Sequence, residues 1–186
     1  NEFIAGQAAG EQFNEGGQSN VICVIQEQGH VGLESRCEGL ADTFEGESEV
    51  LYVQGTDMTN VASTITSKLQ TDSSIDGGLT LGAPFAVTAA DSIADAGSDA
   101  VLATTDLNSE VFSAIQDGSM VFGIDQQPYM QGFSSTEAVR LYHDGGYVLG
   151  GGQAVLTGPT VVNADNLDSV AAQFEGGDDE SAEDEG

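Results

Sequence analysis

The chain has 186 residues, of which 31 are acidic and three basic, for a formal net charge of −28. A surface this negative repels nucleic acid and anionic lipid, which speaks against nucleic acid as a partner, and it destabilises the compact state unless salt screens it, which points to a high-salt environment. No run of 18 apolar residues occurs, so no segment reads as a membrane span.

Apolar periodicity predicts helices and strands in alternation, with short connections. Residues 2–16 read as a helix with Phe3, Ile4, Ala8 and Phe13 marking its apolar face. No signal-peptide pattern occurs within the given residues. Because the sequence opens on Asn1 inside this helical pattern, the natural amino terminus is expected to lie upstream. A strand follows at 21–25, then a helix over 31–44 with Leu33, Cys37, Leu40 and Phe44 at helical spacing. Next come a strand at 50–53, a helix over 59–70 with Val61, Ile65 and Leu69 on one face, and a strand at 78–81. A helix over 85–96, a strand at 100–104, a helix over 109–116 and a strand at 121–124 continue the pattern. Pro128 suits the first turn of the next helix, over 128–144. The glycine-rich segment 145–152 reads as loose, and 154–162 as an extended stretch broken at Gly158-Pro159. The last twelve residues, 175–186, hold seven acids and no base and read as a disordered tail. Apolar strands separated by amphipathic helices predict an α/β fold: a doubly wound parallel sheet covered on both faces.

The motifs of several chemistries are missing. There is no GxGxxG or GxxxxGK[ST] phosphate loop, no GxSxG nucleophile elbow and no Cys/His pair of adequate spacing. His30 and His143 have no metal-ligand spacing to the cysteines, so neither a metal nor another cofactor is expected, and the chain reads as a binder and not an enzyme. Cys23 falls in a strand and Cys37 on the following helix. The placement allows a disulfide in an oxidising compartment and equally allows two buried thiols.

In an open α/β sheet, ligands sit at the carboxyl ends of the strands. The strand at 121–124 ends in Asp125, Gln126 and Gln127, one carboxylate and two amides that suit a polyhydroxylated ligand. Asp106 follows the preceding strand; as Asn108 and Ser109 are credible helix caps, Asp106 is free to face a ligand. Arg36 is the only base in the first 67 positions and starts near the same edge. Its planar fork suits vicinal hydroxyls or a carboxylate, against the plainer reading of an ion pair with Glu34, Glu38 or another nearby acid. His30 lies at this rim, as a loop residue before a catalyst.

Five strings carry a resemblance: Glu2-Phe-Ile-Ala-Gly-Gln-Ala-Ala-Gly10, Ser35-Arg-Cys-Glu-Gly-Leu40, Thr105-Asp-Leu107, Asp125-Gln-Gln-Pro-Tyr-Met-Gln-Gly132 and Val155-Leu-Thr-Gly-Pro159. In order and spacing they resemble the C-terminal portion of the type I periplasmic sugar-binding proteins, the substrate-binding subunits of ABC importers, ribose-binding proteins among them. The resemblance implies that Arg36, Asp106 and Gln126 occupy sugar-binding positions. Gly82 departs from it, standing where several members place a polar ligand-binding side chain. It further implies that residues 1–126 form the C-terminal lobe of a two-lobed protein. Residues 127–158 would be a crossover helix and strand of a mostly absent N-terminal lobe, on the same or another chain, and 159–174 a return segment ahead of the tail at 175–186. The implied function is extracytoplasmic capture of a monosaccharide by lobe closure and its delivery to an ABC permease, with membrane anchorage through the missing amino terminus. The alternative is the ligand-sensing domain of a transcriptional regulator of the same fold.

Overall fold

The computed structural model describes residues 1–170. The expected features of 171–174 and of the tail at 175–186 fall outside the described residues. Helices and strands alternate in the order α1 (Glu2–Gly16), β1 (Asn20–Ile25), α2 (Val31–Thr43), β2 (Glu47–Tyr52), α3 (Met58–Thr71), β3 (Gly77–Thr80), α4 (Ala83–Ala96), β4 (Val101–Thr105), α5 (Ser109–Asp117), β5 (Phe122–Asp125), α6 (Pro128–Gly145) and β6 (Thr160–Asn163). They build one sheet with strand order β2-β1-β3-β4-β5-β6. β1 to β5 are parallel, and β6 returns antiparallel along β5.

Each face of the sheet is covered by its own set of helices. Phe13, Cys23, Ile25, Leu40, Leu79, Phe122 and Ile124 pack under α1 and α2. Ile22, Val24, Val61, Ile65, Ala86, Leu102, Val111 and Ile115 pack under α3, α4 and α5. Alternate residues of β1 thus serve opposite cores, which is why the strand reads as continuously apolar. α1 and α2 cross closely because glycines meet there. A Cβ on Gly6 would overlap the Arg36 carbonyl, and one on Gly39 the Phe3 carbonyl. The crossing is also pinned by the Thr43 hydroxyl, which donates to the Gln7 carbonyl at 2.8 Å. Cys23 and Cys37 are joined as a disulfide with a Cα separation of 5.8 Å, tying β1 to α2.

The structure corrects the sequence reading in three places. β2 begins at Glu47 and not at residue 50, because Glu47, Ser48 and Glu49 pair with β1 on the sheet's open edge and stay exposed there. Apolar runs cannot mark a strand whose outer residues are charged. The sheet is not wholly parallel, since β6 is antiparallel. The extended stretch expected over 154–162 shrinks to β6, with no strand near Val155; Pro159 has no N–H to give a ladder.

α6 differs from the other helices. It has 18 residues and none is buried. Tyr129, Phe133, Val139 and Tyr142 are exposed by 81%, 56%, 70% and 66%, and Tyr147, Val148, Leu149, Val155 and Leu156 continue the exposed apolar surface.

Candidate functional site

The carboxyl ends of β4 and β5 bring together residues that are far apart in sequence. Asp106 leaves β4 with a left-handed backbone, φ 67°, and its N–H donates to the Ile124 carbonyl at 2.9 Å. This bond sets Asp106 beside the end of β5. There Gln126 Nε2 donates to Asp106 Oδ1. The Gln126 carbonyl accepts from Gln131 Nε2 at 2.8 Å and from the Thr157 hydroxyl at 3.0 Å, which fixes its backbone from two sides. Arg36 reaches the same edge from α2. Its Nη1 donates to the buried Thr105 hydroxyl at 2.9 Å, one residue before Asp106. Its Nε donates to Glu2 Oε2 in an ion pair.

Arg36, Asp106 and Gln126 therefore lie along one edge, linked through Thr105. Asp106 is not a helix cap. Asn108 caps α5, its Oδ1 accepting from the Val111 N–H at 2.8 Å. Arg36 does form an ion pair, but with Glu2, 34 positions away, while Glu34 accepts from the Tyr52 hydroxyl.

Asp125, Gln127 and His30 do other work at the edge. Asp125 is buried and accepts from the Gln127 N–H at 2.8 Å. Gln127 is the other non-glycine residue with a left-handed backbone among the described residues, φ 55°, and its Nε2 donates to the Thr160 hydroxyl at 2.7 Å. These bonds hold the turn from β5 into α6. The two left-handed residues, Asp106 and Gln127, both stand at this edge, and such backbone strain concentrates at ligand-facing positions. His30 is exposed and caps α2, its Nδ1 accepting from the Leu33 N–H at 3.3 Å. Asp57 likewise caps α3. Gly82 opens α4 without a side chain, beside Phe85 and the Gln26 amide.

Two hollows open at these strand ends. One of ≈ 650 Å³ lies between the start of α1, α6 and residues 149–157, and Glu2, Gln126 and Gln131 line it. The other, ≈ 800 Å³, lies beyond the ends of β1 and β2 and is lined by Gln26, Gln54, Thr56, Asn60 and Phe85. Among the described residues no group of His, Cys, Asp and Glu is arranged to hold a metal ion.

The sequence alone did not point to Glu2 or Thr105. A lone buried arginine demands a carboxylate, yet nearness along the chain favours Glu34 and Glu38. Thr105 offered a faint signal as a hydroxyl closing an otherwise buried strand.

A family model described as a periplasmic binding protein domain matches residues 2–146. No curated protein matches. A solved carbohydrate transporter from Acidothermus cellulolyticus 11B, in complex with myo-inositol, is similar at a TM-score of 0.89 and 46% identity, over 94% of this chain and 61% of that one. A periplasmic ribose ABC transporter from Conexibacter woesei is similar at a TM-score of 0.82 and 18% identity, over 92% of this chain and 60% of that one. A periplasmic solute-binding protein from Actinobacillus succinogenes, with bound D-allose, gives a TM-score of 0.75 and 18% identity, over 90% and 60%. The chain thus spans about three fifths of the length of the structures it resembles.

Proposed function

The chain belongs to the periplasmic binding protein domain family, and from that premise we propose that it supplies one lobe of an extracytoplasmic solute-binding protein of an ABC importer. The ligand is a neutral monosaccharide or a similar polyhydroxylated ring, held at the carboxyl edge by Arg36, Asp106 and Gln126. The observation that carries this reading is the convergence of those three side chains from three different βα units. The guanidinium and amide donate to ring hydroxyls, and the Asp106 carboxylate accepts from them. The myo-inositol held by the 46%-identical structure supports a neutral cyclic polyol.

Residues 1–126 form this lobe, and α6 with residues up to 158 serves a second lobe on the same or another chain. The absence of any buried residue in α6 supports that division, since an apolar surface of this extent calls for a partner. The ligand lies between the lobes, and closure around it presents the protein to a membrane permease. The Cys23–Cys37 disulfide fits an oxidising, extracytoplasmic compartment. Anchorage to the membrane through sequence upstream of Asn1 completes the proposal.

Calorimetric titration of the two-lobed protein with neutral sugars and cyclitols tests it. Replacing Arg36 or Asp106 by Ala is expected to weaken binding by about 1–3 kcal/mol, because a buried partner loses its hydrogen bond. Unchanged affinity in both variants overturns the assignment.

A further inference from the structure

We propose that Glu2 sets the charge selectivity of this site: by pairing with Arg36 it cancels the one Arg or Lys charge at the carboxyl edge, so that the cleft takes neutral polyhydroxylated ligands and turns away their carboxylated or phosphorylated counterparts. The proposal rests on the reading of Arg36, Asp106 and Gln126 as ligand contacts.

The chemistry starts from the guanidinium. The Arg36 side chain is 9% exposed, and only its Nε and Nη1 have partners among the described residues, Glu2 and Thr105. A buried arginine with N–H groups left over is a ready anion site, because its fork matches carboxylate and phosphate geometry. A fixed carboxylate on the inner nitrogen removes the net charge and leaves the remaining N–H groups as neutral-site donors. Glu2 is such a carboxylate.

Its position is built in and is not a matter of flexible reach. The glycine crossing of α1 and α2 brings the first turn of α1 against the Arg36 turn of α2. The crossing is held further along by Asn14 Nδ2, which donates to the Thr43 carbonyl at 2.9 Å, and by the Thr43 hydroxyl on Gln7. Cys37, the next residue after Arg36, is tied to β1 by the disulfide. Glu2 also faces the ligand space: its side chain is 38% exposed, and it lines the ≈ 650 Å³ hollow together with Gln126.

No other Lys or Arg is free to replace the lost charge. Lys68 is paired with Glu49 and Asp72, and Arg140 with Glu137 and Asp144. With Glu2 counted, Asp106 leaves the edge net negative, and an incoming anion meets repulsion where a polyol meets donors and acceptors.

Glu2→Gln tests this directly, because it keeps the side chain's shape and one acceptor oxygen while removing the charge. The two-lobed protein is titrated with matched probes: myo-inositol against myo-inositol 1-phosphate, and D-glucose against D-glucuronate. The wild type is expected to prefer the neutral member of the pair it binds. Glu2→Gln should cut that preference by about tenfold or more, as expected for one unit charge acting across a partly buried site. Glu2→Asp, which retains the charge, should keep most of it. A Glu2 that merely stabilises the fold would lower the melting temperature and weaken both members of a pair by the same factor, and that result overturns the proposal. A wild type that binds none of the neutral probes overturns the parent reading of the site; binding with a preference untouched by Glu2→Gln overturns this inference alone.

Discussion

Two helices of similar apolar content have opposite fates in this molecule. α3 buries Val61, Ile65 and Leu69 against the sheet, whereas α6, four residues longer, buries nothing and exposes Tyr129, Phe133, Val139 and Tyr142. Tyr129 and Phe133 stack on each other at 6.4 Å between ring centroids, and both stay exposed. The contrast shows that amphipathic spacing identifies a face and not its partner. α3 finds its partner within the chain, and α6 buries no residue against the described part of it.

The sharpest way to break this comparison is a pair of truncations. In this chain Leu40→Ala should cost about 2–5 kcal/mol in urea unfolding, since Leu40 is fully buried between α2 and the sheet. Phe133→Ala should stay within about 0.5 kcal/mol, as expected for a surface change. In the two-lobed protein the same Phe133→Ala should become expensive. Equal costs for the two in the isolated chain would mean that α6 packs on this sheet after all.

The next effect belongs to the packed region alone. Replacing both Cys23 and Cys37 by Ser should lower stability by about 3 kcal/mol, the usual effect of opening a closed loop of this length. The variant's thermal melt, compared with that of the wild type in the presence and absence of reductant, checks this. A wild type indifferent to reductant would mean that the bridge is sealed or dispensable, and the Ser variants decide which.

How far the sequence could be read follows the same division. The βα alternation, the two-sided sheet and the convergence of Asp106 with Gln126 were legible because each depends on local apolar spacing and on where strands end. Glu47–Glu49 were not legible as strand, because an exposed edge is charged and its pairing is set by β1. β6 was blurred by Gly158-Pro159 and by its antiparallel return. The role of Glu2 was invisible for a different reason: an ion pair between two helices is decided by how they cross, and Gly6 and Gly39 show that only once their contact is seen.

The smallest expected effect contrasts the two ends of the sheet. At the amino end Asp76 accepts from the Ser19 N–H, the Asn20 N–H and the Ser19 hydroxyl, all at 2.7–3.0 Å. Burial pushes its carboxyl up, but those bonds together outweigh burial and hold it below the ordinary carboxylate value. A lowered folded value means that the stabilisation is complete above the unfolded value of about 3.9 and is lost as pH falls through the folded one. Asp76→Asn should therefore be less stable at neutral pH and show a shallower loss of stability below about pH 4. Unfolding curves taken at successive pH values measure the slope; an unchanged slope would remove Asp76 from the account. At the carboxyl end the Asp106 side chain is engaged among the described residues by one amide, Gln126, and so keeps acceptor capacity for a ligand.

If this carboxyl edge is the ligand surface, a crystal structure of the two-lobed protein with myo-inositol will show the ligand on it. Ring hydroxyls are expected within about 2.7–3.2 Å of Arg36, Asp106 and Gln126, with the second lobe closed over them and α6 covered. A ligand bound elsewhere, or one that leaves these three side chains untouched, would contradict it.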